Sequence, residues 1–507
     1  MTGSRALRFV VATVFAVALA SCGSETYDRT FRIGHDTAPL TLDPHHHNDN
    51  ATWSVLSNLY DGLVRFDEEM RLQPALAESW RQVDNTHLRF VLRQGVRFCN
   101  GEALRPADVV ASLERARTGP ASKIRHHLVG VRAVRALDDW TVEVETDRPS
   151  ATLLNRLVFV FVVPESDARR SEIERPIGTG PYRFLGLDSR GTVTMEGCSS
   201  WRGLPAIQRV ELRTAATADE LARQLFAGEL DLVRLLPDDQ LAEFRRFPHA
   251  RAVAQPRLYV QMLAINPGAA TGVTAQALAD PRVRKALLAG SDRDRWVREV
   301  FRGAGAAASQ FVHPVVLGFD TTLGPKAYDP AEARRLLSET RIPGELELPL
   351  EYTSSQRDLV AALTEDLAKI GLTVRGREIP WADLMRRARS GESPLTVFAW
   401  SCSSGDAGDF LNACAHSVSP QTGLGAENYS GYADPVTDGL IEAAEGEMAP
   451  ARRIELLAQA QRRLLETNRV LPLTVRLGTL GASDRVEVVA RHDQWLWVAA
   501  YSWRKPG

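Results

Sequence analysis

Histidines are the side chains of this sequence best suited to bind a metal, and His45, His46 and His47 stand side by side. Neutral imidazole is a good ligand for nickel, copper and zinc, so this triplet could bind such a metal or a metal chelate. Adjacent side chains of an extended segment point to alternate faces, so only His45 and His47 can share one. A polar surface loop explains the same residues, and both interpretations stay open.

Enzyme motifs with a fixed spacing do not occur in the chain. The sequence contains no GxxxxGK[ST], HExxH, GxSxG or CxxC pattern, so the commonest nucleotide, metalloprotease, hydrolase and redox fingerprints are excluded. The 61 basic and 63 acidic residues nearly cancel to a net charge of −2. Because a non-specific nucleic-acid binder carries a basic excess, we expect no nucleic-acid partner. No motif indicates a cofactor.

The first residues have the pattern of an export signal. Arg5 and Arg8 precede a twelve-residue run, Phe9 to Ala20, which only Thr13 interrupts. This run is too short for a membrane span, which needs about 20 apolar residues, so residues 1–21 are predicted to be a signal peptide. Residues 19–22, Leu-Ala-Ser-Cys, resemble the bacterial lipobox, which implies a lipid on Cys22. An ordinary signal peptide with a chance cysteine is the alternative.

Four of the five cysteines remain after Cys22 is assigned to the lipid. An even number of cysteines in an exported chain permits disulfides. Cys402 and Cys414 are twelve residues apart, and we predict that they pair because the loop between them is short. Cys99 is either a free thiol or paired with Cys198.

Hydrophobic periodicity predicts a mixed α/β protein. Alternating runs at 86–92 and 141–145 indicate strands. Asp329 and Pro330 are typical of the cap and first turn of a helix. A second helix is predicted from Gln356 to Ile370, and it ends at Gly371 before a strand. Helix, glycine and strand in this order indicate a layered α/β domain.

An ordered series of motifs resembles the family 5 extracellular solute-binding proteins, the dipeptide, oligopeptide and nickel-binding receptors of ABC importers. The similarity extends over nearly all of the chain after Cys22. Each motif alone is weak, and their order carries the resemblance. The matching segments are 42–45 (LDPH), 58–64 (NLYDGLV), 74–80 (PALAESW), 92–98 (LRQGVRF), 101–102 (GE), 107–110 (ADVV), 177–182 (IGTGPY), 282–287 (RVRKAL), 328–331 (YDPA), Trp400, 428–429 (NY) and 432–435 (YADP).

The resemblance implies a periplasmic-binding-protein fold (type II, cluster C) with two lobes, a subdomain inserted into lobe I and a ligand cleft between the lobes. Gly178 and Gly180 of the GTGPY motif allow a tight backbone path that a Cβ would obstruct. The expected division of the chain is 22–52, 176–255 and 477–507 in lobe I, 53–175 in the inserted subdomain and 256–476 in lobe II.

Three segments are predicted to contribute to the cleft. Members of the family contact ligands just after the LDPH motif, which selects His47 and Thr52. In peptide-binding relatives, an aspartate that holds the ligand's ammonium follows the tryptophan at position 400 by three residues; here that position is Ser403, and the next carboxylate is Asp406. Trp400 either stacks on the ligand or packs in the lobe. His416 is a third candidate, with a hydrogen-bonded structural role as its alternative.

These features together predict a receptor rather than an enzyme. We expect a lipid-anchored monomer on the outer face of the cytoplasmic membrane or in the periplasm, which delivers a peptide or similar small solute to permease and ATPase subunits. A metal-chelate receptor and a solute sensor on the same scaffold are the alternatives. An exported enzyme with a site built from distant residues is a further one. The neutral Ser403 argues against a peptide with a free amine.

Overall fold

The computed structural model describes residues 29–215, 217–236, 238–340 and 346–505. The predicted signal peptide, residues 1–21, and the predicted lipidation site, Cys22, lie outside the described residues. The described chain divides into two lobes, each built around a large sheet, as the fold prediction required.

Lobe I is built on a seven-stranded mixed sheet. Alternate residues of its first strand, Phe31 and Ile33, are fully buried, which is the pattern expected of a strand whose face packs against a core. This strand runs parallel to its two neighbours, and the other pairs are antiparallel. The strands in spatial order are Ala250–Gln255, Gly478–Ser483, Leu232–Val233, Thr30–His35, Arg209–Thr214, Val193–Gly197 and Tyr182–Leu187.

A four-stranded antiparallel sheet forms the inserted subdomain, and the predicted strands at 86–92 and 141–145 are both part of it. The sheet order is Ala77–Asp84, His87–Leu92, Thr141–Thr146 and Val131–Ala136. Two further pairs of short antiparallel strands occur on this side of the molecule. They are Val64–Phe66 with Leu72–Pro74 and Val486–Glu487 with Ser502–Trp503. The α-helices on this side of the molecule are Asn50–Leu56, Pro106–Thr118, Leu153–Arg156, Glu165–Ala168 and Ala218–Phe226.

Lobe II is a six-stranded sheet covered by helices. Both predicted helix boundaries are confirmed: the Asp329 side chain accepts the Glu332 N–H at 2.9 Å, and the second helix stops before Gly371, whose φ is +87°. The strands in order are Gly305–Ala307, Val470–Arg476, Tyr259–Ile265, Leu395–Ser401, Leu346–Tyr352 and Leu372–Glu378. The α-helices are Gly272–Ala279, Pro281–Ala289, Arg293–Arg295, Pro330–Ser338, Arg357–Ala368, Trp381–Arg389, Gly408–Phe410, Pro435–Gly446 and Pro450–Thr467.

Segments of 3₁₀ and π-helix complete the described secondary structure. The 3₁₀ segments are Arg125–Leu128, Leu157–Phe159, Asp238–Arg246, Pro267–Ala269, Ser354–Gln356 and Val498–Ala500, and the π-helical turns are Trp296–Val300 and Leu411–Ala415.

The chain passes between the two large sheets at residues 256–258 and again at Leu477, between consecutive strands of the two lobes. These crossings touch, because a Cβ on Gly478 would stand 2.3 Å from Nε of Arg257. The sheets therefore separate the lobes at positions close to the predicted ones. The predicted domain boundaries themselves stay a prediction.

The disulfide prediction was wrong. Cys99 pairs with Cys198, whereas Cys402 and Cys414 are buried free thiols. The reason is the GTGPY turn: the N–H of Cys99 donates to Gly178 O and the N–H of Cys198 donates to Pro181 O, at 2.9 and 2.8 Å. One turn thus holds both cysteines in place. Burial raises the pKa of the Cys402 thiol well above its usual value.

The GTGPY turn itself follows the tight path predicted from its glycines. A Cβ on Gly178 would lie 1.9 Å from the carbonyl oxygen of Leu59, and one on Gly180 would lie 2.5 Å from the carbonyl carbon of Leu59. Such distances are shorter than any van der Waals contact, so only glycine fits at these two positions.

Candidate functional site

A cavity of about 210 Å³ lies beside the first crossing between the lobes. Its walls come from both lobes, and its position matches the cleft expected of a two-lobed binding protein. Residues of lobe I and of lobe II therefore meet at one cavity. The lining residues are Asn50, Trp53, Phe66, Phe159, Leu258, Tyr259, Ser401, Ser403, Asp493, Gln494 and Trp495.

Lobe I contributes four aromatic side chains to the cavity. Three of them, Trp53, Phe159 and Trp495, contact one another, and we call these three the aromatic wall. The ring centroids of Trp53 and Phe159 are 4.9 Å apart, and those of Trp53 and Trp495 are 6.3 Å apart in a stacked arrangement. Aromatic pairs at these distances stabilise each other beyond the burial of their surface. The wall is therefore a preformed apolar face.

Hydrogen bonds fix the aromatic wall at its two ends. Asp49 caps the helix Asn50–Leu56, because its carboxylate accepts the Thr52 N–H at 2.8 Å. The Asn50 side chain accepts the indole N–H of Trp495 at 2.6 Å and donates to the carbonyl oxygen of Asp493 at 3.1 Å. Asn50 thus joins the helix that carries Trp53 to the C-terminal segment that carries Trp495.

A buried polar cluster supports the loop just before this helix. Arg115 donates to Asp43 at 2.8 Å and to Nδ1 of His45 at 2.9 Å, and Nε2 of His45 lies 2.9 Å from the carbonyl oxygen of Phe161. His45 is therefore neutral, with its proton on Nε2. Burial lowers the pKa of His45 to about 4, and the positive charge of Arg115 acts in the same direction.

Lobe II contributes Tyr259, Ser401 and Ser403. Tyr259 and Ser401 are opposite each other in two paired strands, and side chains alternate between the faces of a strand. Trp400, which lies between lining residues in sequence, therefore faces the other side of the sheet. There its ring packs edge-on against Phe410, with centroids 6.5 Å apart. This position favours the packing role of Trp400 over stacking on a ligand.

The lobes also contact each other outside the cavity. The side-chain amide of Asn155, beside the inserted subdomain, donates to the carbonyl oxygen of Ser404 in lobe II at 2.7 Å. The imidazoles of His313 in lobe II and His492 in lobe I lie 5.1 Å apart. Burial, together with the charge of the neighbouring His492, lowers the pKa of His313 to about 4. These contacts outside the cavity join the two lobes.

The two predicted cleft residues of lobe I lie behind the aromatic wall. His47 is 1% exposed, and its ring packs edge-on against Trp53 with centroids 5.1 Å apart. Thr52 is fully buried, and its hydroxyl accepts the N–H of Leu40 at 2.9 Å. Neither lines the cavity. Their direct contact with a ligand stays a prediction, and the geometry gives both residues a supporting role.

The predicted residues of lobe II divide between the cavity and the interior. Ser403 lines the cavity. Asp406 forms an ion pair with Arg453, whose Nη2 donates to it at 3.0 Å, and the side chains of both are at most 4% exposed. His416 is 5% exposed and bonds through Nε2 to Glu442 at 3.2 Å. Asp406 and His416 are thus engaged within lobe II, away from the lining residues.

Most of the lining residues are absent from the set predicted from sequence. The prediction selected Thr52, and the residue that lines the cavity is its neighbour Trp53; it selected Trp400, and the lining residue is Ser401. Trp495 and Phe159 were missed because they come from distant segments that only the fold brings together. A cluster of tryptophans near the C-terminus was the available signal.

Two further properties of the described residues are relevant to the site. No helix in that part of the chain is both long and apolar enough to cross a membrane. No group of three or more His, Cys, Asp or Glu side chains there is arranged to hold a metal ion.

Two lobes, a double crossing and a cavity between the lobes define a solute-binding protein of the periplasmic type. The chain belongs to the bacterial extracellular solute-binding proteins of family 5, whose model matches residues 71–421. Members of this family are exported transport receptors of ABC importers, so the chain is a receptor and not an enzyme.

Relatives with established names extend this similarity to nearly the whole chain. The glutathione-binding protein GsiB of Shigella boydii is 27% identical over 489 residues, covering 92% of both chains. Heme-binding protein A of Haemophilus influenzae is 26% identical over 500 residues, covering 91% of this chain and 89% of the relative. The structure of HbpA2 from Haemophilus parasuis superposes with a TM-score of 0.81 at 22% identity, covering 94% and 100%.

Proposed function

We propose that this chain is a lipid-anchored receptor that captures a small peptide or a similar small solute between its lobes for an ABC permease. The observation that carries the proposal is the cavity whose walls come from both lobes. A solute in this cavity contacts both lobes at once, so it favours the closed arrangement over an open one. Closure then presents the loaded receptor to the permease and ATPase subunits.

The named relatives support a small solute without fixing its class. One relative is named for glutathione, a small peptide, and another for heme. A volume of about 210 Å³ is below the ~300–1,000 Å³ of typical pockets for drug-sized ligands. The size of the cavity therefore argues against a solute as large as heme.

A thermal-unfolding screen of the purified protein tests this proposal. The panel contains di- and tripeptides, end-blocked amino acids, cyclic dipeptides, a nickel and histidine mixture, and small oligosaccharides. A bound solute stabilises the folded state by about 2.7 kcal/mol at ~100 times its Kd. We expect stabilisation by at least one class of solute.

A matched pair of variants locates the binding. Ser403→Trp places a large ring in the cavity and should abolish the stabilisation. Ser354→Trp adds the same ring at an exposed position of lobe II and should leave it intact. The proposal fails if no solute stabilises the protein, or if Ser403→Trp retains the full shift.

The lipid anchor is tested separately. Cys22→Ser removes the only side chain that the lipobox motif can acylate, so we expect the variant protein to leave the membrane fraction and to lose a labelled fatty acid. A wild-type protein that takes up no label would contradict the anchor and would leave the binding proposal standing.

The two alternative functions, a metal-chelate receptor and a solute sensor, are tested by separate experiments. His47 and His416 belong to different lobes, and His416 is bonded to Glu442. No group of three or more His, Cys, Asp or Glu side chains among the described residues is arranged to hold a metal ion, and the nickel arm of the screen tests the metal-chelate receptor. A sensor differs from a receptor in that deleting its gene leaves uptake of the solute unchanged. Loss of uptake is the result expected of the receptor.

A further inference from the structure

The cavity offers no net charge to a ligand. Among the described residues that line it, Asp493 alone carries a formal charge at neutral pH. The carboxylate of Asp493 accepts two bonds from Arg491, at 2.9 and 2.5 Å, and a third from the backbone N–H of Trp495 at 3.0 Å. The Arg491 and Asp493 side chains are 5% and 7% exposed. This pair is therefore neutral as a unit, and most of its bonding capacity is used.

Two carboxylates of lobe II, Asp406 and Asp409, are bonded to neighbouring groups. Asp406 is bound by Arg453. Asp409 accepts the N–H and the hydroxyl of Ser404, at 3.3 and 3.1 Å. Burial raises the pKa of Asp409 to about 6, and the negative charge of Asp406 acts in the same direction. A free ammonium group in the cavity would thus find a hydroxyl at position 403 and no uncommitted carboxylate among the described lining residues.

The cavity does offer flat apolar surface and neutral hydrogen-bonding groups. Trp53 lines the cavity and is 7% exposed, and its indole N–H is covered by protein and has no hydrogen-bond partner among the described residues. Gln494 presents a side-chain amide from a backbone with φ of +63°, a conformation that is uncommon for residues with a Cβ and recurs at ligand sites. The hydroxyls of Ser401 and Ser403 add two further neutral groups.

We propose that the solute is compact and uncharged where it meets the cavity, with a flat apolar ring and amide-type acceptors, as in an end-blocked or cyclic dipeptide with an aromatic side chain. This inference rests on the proposed function and narrows its solute class. The ring stacks on the aromatic wall, and the amide groups bond to the neutral side chains of Ser401, Ser403 and Gln494. A peptide with a free amine is disfavoured because its buried ammonium lacks an ionic partner.

Calorimetric titration of the full-length protein tests this inference with matched probes. N-acetyl-phenylalanine amide and cyclo(Gly-Phe) are the neutral probes, and linear Gly-Phe with free termini is the charged one. We expect each neutral probe to bind wild type ~10-fold or more tightly than Gly-Phe, since burying an unpaired charged group costs more than that factor.

A substitution at position 403 is expected to reverse the preference for neutral over charged probes. Ser403→Asp adds a carboxylate to the cavity, so we expect it to bind Gly-Phe ~10-fold or more tightly than wild type does and to weaken the neutral probes. Ser403→Asn has a similar size without charge and should keep the neutral preference. Ser354→Asp adds the same charge at an exposed position outside the cavity and should behave as wild type.

The inference is overturned if wild type binds Gly-Phe as tightly as the neutral probes, if neither neutral probe binds, or if an uncharged disaccharide binds in their place. Each of these outcomes leaves the proposed function intact when some member of the thermal-unfolding panel still stabilises wild type and not Ser403→Trp. Absence of any such member removes the proposed function itself.

Discussion

The two walls of the cavity are built in opposite ways. Most of the surface from lobe I is the aromatic wall of Trp53, Phe159 and Trp495, large rings that contact one another beside a helix capped by Asp49. The wall from lobe II consists of Tyr259 and two serines, placed at strand ends and in the loop that follows. One wall is a packed part of a hydrophobic core, and the other is a small polar surface.

This difference indicates a division of labour between the lobes. A packed aromatic wall supplies contact area at little entropic cost, because its rings are already ordered before a ligand arrives. Small residues at the end of a strand can be exchanged without disturbing a core. We therefore expect changes in the lobe I wall to affect both stability and binding, and changes at Ser403 to affect selectivity.

Trp53→Ala is expected to have the largest effect. Removing a buried tryptophan side chain costs about 3–5 kcal/mol of unfolding free energy, and the aromatic wall loses its central ring. Chemical denaturation measures the loss of stability, and thermal-unfolding shifts measure the loss of binding. Trp53→Phe should recover much of the stability. Equal losses of stability in Trp53→Ala and Ser401→Ala would contradict the proposed difference between the walls.

The disulfide between Cys99 and Cys198 is expected to stabilise lobe I and to leave the selectivity for solutes unchanged. Replacing Cys99 and Cys198 by alanine should cost about 2–4 kcal/mol, the typical contribution of a disulfide that closes a long loop. Alkylation of the unfolded, unreduced protein followed by peptide mass spectrometry checks the pairing. We expect label on Cys402 and Cys414; label on Cys99 and Cys198 instead would refute the pairing.

Acid should weaken the support of the aromatic wall through His45. Its folded-state pKa of about 4 lies below the unfolded value of about 6.5. His45 therefore contributes stability that is fully present above pH 6.5 and is lost as the pH falls towards 4. Between pH 7.5 and pH 5 the expected loss is about 2 kcal/mol.

Denaturation curves at these two pH values measure the contribution of His45. The variant His45→Gln keeps a hydrogen-bonding side chain that does not titrate, so its stability should fall less than that of wild type over the same range. An identical fall in both proteins would show that His45 is not the titrating group.

The smallest effect is expected at Asn155. Its hydrogen bond to the Ser404 carbonyl joins the two sides outside the cavity, and a single neutral bond contributes about 1 kcal/mol. Asn155→Ala should weaken solute binding by less than ~10-fold with selectivity unchanged. A change in the preference between neutral and charged probes would place Asn155 in the selectivity of the site.

Local features of the fold were predictable because their causes are local. Asp329 caps a helix and Gly371 ends one through groups within a few residues, and Gly178 and Gly180 permit a turn for steric reasons. The cysteine pairing was predicted wrongly because loop length was the only criterion available. The fold overrides it by bringing residues 99 and 198 to the same turn.

The site was harder to predict because three separate segments form the aromatic wall. Trp53 and Trp495 are joined through Asn50, a contact that no local pattern encodes. Ser403 was found because the family resemblance marks its position and the residue there is neutral. The sequence therefore indicated that the cavity lacks the carboxylate that peptide-binding relatives have at this position, whereas the residues that form the cavity could be identified only from the structure.

The most direct test of the binding site is an NMR spectrum of the indole N–H groups of the protein, labelled with nitrogen-15, with and without a solute that stabilises it. We expect the Trp53 resonance, assigned by its loss in Trp53→Phe, to move on binding. The resonance of Trp381, which is 66% exposed on a lobe II helix, should stay in place. An unmoved Trp53 resonance in the presence of a bound solute would contradict the claim that this cavity is the binding site.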